Sequence, residues 1–350
     1  MPSVRNRLQK TSPKEAPTLQ DVAARAGVSA ATVSRCLNLP DAVRPALRHR
    51  VDAAIAELGY VVHGPARALK TQRSHTVGAV IPTIDNAIFA RAIQALQDRL
   101  YQAGYTLLLA STSYDPAQEL DQVRSLVERG LDALMLIGEA HAEALYELLV
   151  RTGVPYVNAW TFRPDGEHPC VGFDNRAVAR RLANYVIDMG HRDIAMIAGA
   201  TVGNDRAADR LAGVRDALGE RGLDFGPGRL LERPYSIGDG RAALRHLMAL
   251  TPRPTAVICG NDILAFGALF GCHELGIAVP DEVSITGFDD LELAAEMVPA
   301  LTTVHVPSEL MGRLTAEYLL ARLAGETVHH ATKLDANLIV RASTAPPRRA

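Results

Sequence analysis

The sequence predicts an all-α helix-turn-helix head joined by a hinge to an α/β body of two lobes, each a doubly wound parallel sheet. Three observations carry that prediction. Residues Leu19–Asn38, LQDVAARAGVSAATVSRCLN, are helix-prone yet nearly free of large side chains. From Thr76 onward, short apolar runs alternate with amphipathic stretches, the pattern of strands feeding crossover helices. Charge is also split along the chain: residues 1–75 hold twelve Lys/Arg against five Asp/Glu, and the rest holds 25 against 34. A basic end on an acidic body is the electrostatic footprint of nucleic-acid binding confined to that end.

At 350 residues the chain has room for two or three domains and a sizeable core. Residues 1–17 read as a flexible basic tail; their positive charge comes without the apolar segment of a secretory signal, so a cytoplasmic protein is expected. No apolar run is long enough to span a membrane. Cys36, Cys170, Cys259 and Cys272 are widely spaced without a C-x-x-C pair, so buried free thiols are expected ahead of a disulfide or a metal site.

The head is assigned to residues 18–60. Thr18 with Asp21 three residues on makes a variant capping box, and Leu19, Val22, Ala23 and Ala26 share one helical face. Gly27 stops that helix at a position that takes positive φ. Ser29 then N-caps a second helix running through Val33, Cys36 and Leu37. A turn of about three residues forces the two helices to cross in contact, which small Ala23 permits. Ala23, Gly27 and Val33 thus hold helix-turn-helix spacing. The alternative, an αα-hairpin at a domain edge, does not need so polar a second helix. In the helix-turn-helix reading that helix enters the major groove. Arg35 supplies a fork matching guanine, while Ala30 and Ala31 offer methyl contacts to thymine. Thr18, Ser29, Thr32, Ser34 and Asn38 complete the expected DNA-binding set, the hydroxyls and amide mainly as phosphate anchors. A third helix, with Pro45 at N1 and Gly59 at its end, closes the small core through Leu47, Val51, Ala54, Ile55 and Leu58. Arg44, Arg48 and Arg50 are expected to project from it toward solvent or phosphate.

The body is assigned to residues 76–350. TVGAVIP, YTLLLAS, ALMLIG and VPYVNAW read as buried parallel strands, and IAMIAG, TAVICG and VSITGF repeat the scheme. One lobe takes about 76–174 plus 306–335, the other about 175–305 plus 336–345. Ligands in such sheets bind beyond the carboxyl ends of the strands. Those positions supply Asn86, Phe89, Glu139, Trp160, Arg206, Arg210, Asn261 and Asp289. An aromatic wall with forked polar groups suits a polyhydroxylated ligand, and Arg206 beside Arg210 favours an anionic one, so a sugar acid is preferred to a neutral sugar or a nucleobase. Two residues keep a second reading: Trp160 as lobe core, and Arg210 as a structural ion pair with Asp205 or Asp209. His329 and His330 are adjacent and point apart, which argues against a metal site. No catalytic residue, metal or cofactor is expected.

The head motif, followed by AIAELGYV and ARALK and then by GHRDIAMIAG, RPTAVICGNDILAFGA, VPDEVSITGFDD and PALTTVHVP, resembles the lactose-repressor (LacI/GalR) family of bacterial transcription regulators. The resemblance runs from Thr18 to about Arg341. It implies a periplasmic-binding-protein-like body, effector contacts at Phe89, Arg210, Asn261 and Asp289, and a hinge over residues 61–75. In that hinge Arg67 and Leu69 would meet DNA, Leu69 as a wedge in the minor groove; the alternative is that Leu69 anchors the linker to the body. The chain departs from the family where Val61, Val62, His63 and Gly64 follow Tyr60 and Pro65 stands inside the expected helix, which predicts a short hinge helix.

Two other functions fare worse. A nucleotide-dependent enzyme lacks its G-x-G-x-x-G, P-loop or G-x-S-x-G element. An exported sugar-binding protein has no use for a helix-turn-helix. The sequence is therefore read as a ligand-responsive repressor, a homodimer on pseudo-palindromic operator DNA, with the effector between its lobes.

Overall fold

The computed structural model describes residues 17–38, 42–61, 73–85 and 87–348. It divides into two units, Met1–Ser74 and His75–Ala350.

In the first unit, α1 (Leu19–Ala26), α2 (Ala30–Asn38) and α3 (Pro45–Leu58) enclose a core of Val22, Ala23, Ala26, Val33, Cys36, Val51 and Ala54. Each boundary has a local cause. Thr18 and Asp21 form the reciprocal capping box, and Gly27, at φ 64°, closes α1 by donating its N–H to helix carbonyls. Ser29 accepts from the Thr32 amide at 3.2 Å and so starts α2. Pro45 opens α3, and Gly59 ends it at φ 62°. Ala23 is buried where α1 meets its neighbours, which is why no larger side chain stands there.

The second unit runs β1 (Thr76–Ile81), α4 (Ala87–Gln102), β2 (Thr106–Ser111), α5 (Pro116–Glu128), β3 (Ala133–Ile137), α6 (Glu143–Thr152), β4 (Tyr156–Ala159) and β5 (Cys170–Gly172). It continues with α7 (Asn175–Asp188), β6 (Ile194–Gly199), α8 (Asp205–Gly219), β7 (Leu230–Arg233), α9 (Ile237–Met248), β8 (Ala256–Cys259), α10 (Asp262–Leu275) and β9 (Ser284–Thr286). Last come α11 (Glu292–Glu296), β10 (Thr303–His305), α12 (Ser308–Leu323), β11 (Ala331–Lys333) and β12 (Asn337–Ile339).

Lobe N holds a parallel sheet in the order β11-β5-β4-β3-β1-β2, and lobe C one in the order β7-β6-β8-β9. An antiparallel pair, β10 with β12, joins the latter through isolated bridges at Thr286–Thr302 and Asp289–His305. The chain passes between lobes at residues 173–174, 306–307 and 334–336. In both sheets the strand order reverses beside the first strand, between β1 and β3 and between β6 and β8. That switch point opens a crevice at the strands' carboxyl ends. The central strands β3, β6 and β8 are buried along their whole length, as continuous apolar runs demand. The sequence reading missed β7: Leu230–Arg233 is a half-exposed edge strand of mixed polarity and carries no apolar run.

Helices pack on these sheets in close pairs that depend on glycine. A Cβ on Gly213 of α8 would lie 2.1 Å from the Arg176 carbonyl oxygen of α7, and one on Gly267 of α10 would lie 2.2 Å from the Ile237 carbonyl oxygen of α9. Gly312 of α12 stands equally close to the Ala92 carbonyl of α4. Backbone rather than side chain sits opposite each one, so no rotamer change relieves the clash. Gly213→Ala is expected to destabilise the body by about 1–3 kcal/mol in urea unfolding. Gly219→Ala, on the same helix with nothing within 4 Å, should be neutral or stabilising by up to about 1 kcal/mol.

Candidate functional site

In the head, Ala31 and Arg35 stand exposed one turn apart on α2. The Ser29 and Thr32 hydroxyls lie 2.9 Å apart at the start of the same helix. Ala30, expected as a thymine contact, is half-buried against the head core instead, so the exposed methyl of this turn belongs to Ala31. The Thr18 hydroxyl is engaged with the Asp21 carboxylate at 2.7 Å, and the Thr18 backbone amide, followed by that hydroxyl, holds Asp21 below its ordinary carboxylate value. Ser34 is half-buried. Arg50 corrects an expectation. Its Nη2 donates to the carbonyls of Ala26 at 2.5 Å and Gly27 at 3.3 Å, so it clasps the C-terminal end of α1 rather than projecting toward phosphate. The Asn38 side chain, Arg67, Leu69 and Asn86 lie outside the described residues.

In the body, the residues after the strands converge between the lobes. Phe89 and Trp160 meet edge to face with centroids 5.2 Å apart, and both are buried. Beside them Arg210 is held from four directions. Its Nε donates to Asn175 Oδ1 at 2.9 Å and its Nη1 to the Gly260 carbonyl at 2.8 Å. Asp289 Oδ1 lies 3.5 Å from Nη1, and the guanidinium carbon stacks 3.7 Å over the Phe288 ring. The alternative pairing of Arg210 with Asp205 or Asp209 is overturned: Asp205 pairs with Arg206 and Asp209 with Arg163. Asn175, the first residue of α7, also donates to the Trp160 carbonyl at 2.9 Å, which ties a lobe N loop to Arg210. Asn261 is buried and N-caps α10, accepting from the Leu264 amide at 2.9 Å.

Strain is concentrated here. Trp160 (φ 63°), Tyr114 (φ 63°), Ser113 (φ 52°) and Asp289 (φ 118°) adopt backbone conformations that bulky or ordinary side chains avoid. The Trp160 Nε1–H is buried without a hydrogen-bond partner. Burial pushes the Asp289 carboxyl up to about 6 against the pull of Arg210. Behind it, fully buried Asp262 accepts from the Thr303 hydroxyl at 2.5 Å and the Leu291 amide at 2.7 Å. Burial, with the Asp289 charge second, raises it to about 8.

Two expected contacts are engaged by protein groups. Glu139 lies outside the crevice against Arg163, with Nε–Oε2 3.4 Å. Arg206 borders the crevice, but its Nη1 is engaged by the Ile137 carbonyl at 2.9 Å and Asp205 at 2.7 Å. Each crevice arginine is therefore paired with a carboxylate, and the surplus positive charge inferred from the sequence is absent.

The crevice bounded by Phe89, Trp160, Arg210, Asn261 and Asp289 has a free volume of only about 30 Å³, room for roughly two waters. Directly outside it is a cavity of about 660 Å³ that includes Thr83, Asp85, Ser236 and Ile263, within the range of small-molecule sites. Tyr114 and Tyr235, with ring centroids 6.1 Å apart, border both spaces, as does Asn204. Sequence reasoning missed both tyrosines. They lie beyond the ends of edge strands β2 and β7, and reading β7 as a strand would have exposed Tyr235 through the same rule that found the others.

The sequence profile described as "Bacterial regulatory proteins, lacI family" matches residues 18–62, and "Periplasmic binding protein-like domain" matches residues 183–344. The chain is 35% identical over 319 residues to the HTH-type transcriptional regulator GntR of Escherichia coli K12, covering 90% of this chain and 94% of the relative. Its structure is similar to the transcription regulator GntR from Chromobacterium violaceum, with TM-score 0.73, 32% identity, and coverage of 77% of this chain and 99% of that one. It is likewise similar to the transcriptional regulator CelR in complex with cellobiose, with TM-score 0.69, 32% identity, and coverage of 93% and 99%.

The raised carboxyls set a pH dependence. An acid whose folded pKa is raised contributes stability that is fully present below its unfolded value and lost as pH rises through the folded one. For Asp262 that window runs from about pH 4 to about pH 8. Urea unfolding at pH 5, 7 and 8.5 should show a shallower decline in Asp262→Asn than in the unaltered chain; parallel curves would remove Asp262 as the titrating group.

Proposed function

The chain belongs to the lacI family of bacterial regulatory proteins, and from that premise we propose that it binds pseudo-palindromic operator DNA as a homodimer in the cytoplasm and releases or holds it according to a sugar or sugar acid captured between its lobes. It is a DNA-binding transcription regulator with an effector-binding body, not an enzyme. One observation supports this ligand class above the rest: a small-molecule-sized cavity is lined by two tyrosine rings that it shares with a crevice of buried, strained polar groups. Ring faces on the tyrosines cover the apolar face of a pyranose or a polyol chain, and Asp289, Asn204 and Arg210 read its hydroxyls. Three helices of lobe C begin here at their N-caps Asn204, Ser236 and Asn261, so their positive ends favour oxygen-rich ligands. CelR, a structural relative, holds the disaccharide cellobiose.

On DNA, the exposed ridge of Ala31 and Arg35 reads bases, while Ser29, Thr32, Ser34 and Thr18 lie along the backbone. Two such heads separated by about one helical turn would read the two half-sites. Effector binding shifts the lobes and thereby operator affinity, with a coupling of about 1–3 kcal/mol.

Selection of bound DNA from a random pool at fixed salt, with and without a panel of sugars and sugar acids, tests the proposal. A pseudo-palindromic site whose recovery changes with one compound is expected. Asp289→Ala should keep the site and lose the response, while Arg35→Ala should relax base preference at one position per half-site. Salt-sensitive, sequence-blind binding unaffected by every compound would overturn the reading.

The sign of the pH dependence separates the two ligand classes. As pH rises through about 6, Asp289 gains its charge. A neutral sugar should then bind more tightly, because the carboxylate is the better acceptor for its hydroxyls; a sugar acid should bind more weakly, through like-charge repulsion. Titration calorimetry at pH 5.0 and 7.5 reads the direction.

A further inference from the structure

Arg206 and Asp205 reach across the cleft in a way that no ligand contact requires. They occupy the first turn of α8 in lobe C, and opposite them stands the segment 137–139 at the end of β3 in lobe N. Arg206 Nη1 donates to the Ile137 carbonyl at 2.9 Å, and the Glu139 amide donates to Asp205 Oδ2 at 2.9 Å. Arg206 and Asp205 also pair with each other at 2.7 Å. One turn on, Asp209 takes Arg163 of lobe N at 2.5 Å. The lobe N side is already fixed for this encounter: His141 Nε2 lies 3.1 Å from the Gly138 carbonyl, and the Tyr146 hydroxyl donates to the Glu139 carbonyl at 3.2 Å. His141 is itself held by Glu119 at 2.8 Å, and Tyr146 accepts from Asn158 at 2.8 Å. Between the partners stands Gly138 at φ 83°, where a Cβ would fall 1.7 Å from Arg206 Nη1 and 2.3 Å from Asp205 Oδ1.

We propose that Gly138, Asp205 and Arg206 form an interlobe latch: Arg206 is a positioning residue that holds the lobes shut over the crevice, and glycine is required at 138 to admit it. Arg206 borders the crevice, and it closes the site through the Ile137 carbonyl. Arg206 is buried to 7% exposure and Asp205 is partly buried, and charge-assisted hydrogen bonds to a preorganised backbone are the strong kind. A side chain at 138 breaks the contact without altering any charge in the crevice.

The single tryptophan makes the latch measurable without any ligand, so the result stands apart from the identity of the effector. Trp160 borders the crevice at 2% exposure. Acrylamide quenching of its fluorescence in the full chain should therefore be weak. In Gly138→Ala and Arg206→Ala the quenching constant should rise at least about twofold as the lobes part, with far-UV circular dichroism unchanged. Arg206→Lys, which keeps a donor for the Ile137 carbonyl, should restore part of the protection. Asp205→Asn preserves shape and packing while removing the charge, so it tests the latch independently and should also raise quenching. Arg221→Ala, which breaks an exposed ion pair with Asp188 elsewhere in lobe C, should leave quenching unchanged. Folded Gly138→Ala or Asp205→Asn protein with Trp160 quenched no more than in the unaltered chain would overturn the latch.

Discussion

The interlobe face is organised by one buried guanidinium. An ionised group taken from water into the interior is tolerable only if its donors are matched and its charge is opposed. Arg210 meets that demand with an amide from the crossover helix, a carbonyl from the end of β8, a ring from the segment after β9 and the Asp289 carboxylate beside it. These partners come from separate parts of the chain, so satisfying one side chain fixes the relative positions of three sheet-end segments. Burial of Asp289 beside Arg210, and of Asp262 behind it, makes both carboxyls weaker acids, with Arg210 opposing the rise at Asp289.

That arrangement also explains why the deepest part of the cleft is nearly full. The groups expected to bind a ligand are largely bound to one another, and ligand-sized space lies one layer further out, beyond Tyr114 and Tyr235. A ligand entering from the outer cavity exchanges hydrogen bonds with an already satisfied set. It gains only where its hydroxyl geometry is better than the internal one, which makes such a site selective rather than merely sticky.

Much of this was legible in the sequence, for identifiable reasons. The head helices have local causes within one or two turns: Thr18 with Asp21, Gly27, Ser29, Pro45 and Gly59 act on their own neighbours, so a linear reading captures them. The central strands are long apolar runs and announce themselves. Strand β7 does not, because an edge strand half in water has the composition of a loop. The partners of Arg210 were beyond reach for another reason. Asp205 and Asp209 are near Arg210 in sequence, yet its partners, Asn175, Gly260, Phe288 and Asp289, lie 35 to 79 residues away and are set by tertiary structure. The positive φ of Trp160 likewise belongs to the loop's packing, not to its composition.

The clasped and paired arginines of the head bear on the thermodynamics of reading DNA. Arg25 is matched with Glu57 at 2.6 Å and Arg48 with Asp52 at 3.8 Å, while Arg50 is turned onto the end of α1. A cation that already has an acidic neighbour neutralises less of a phosphate when it arrives, and so displaces fewer of the ions condensed on the duplex. The surplus of basic residues at this end of the chain thus overstates the entropy released on binding. Whatever these three arginines contribute on DNA leans correspondingly less on the salt concentration around them.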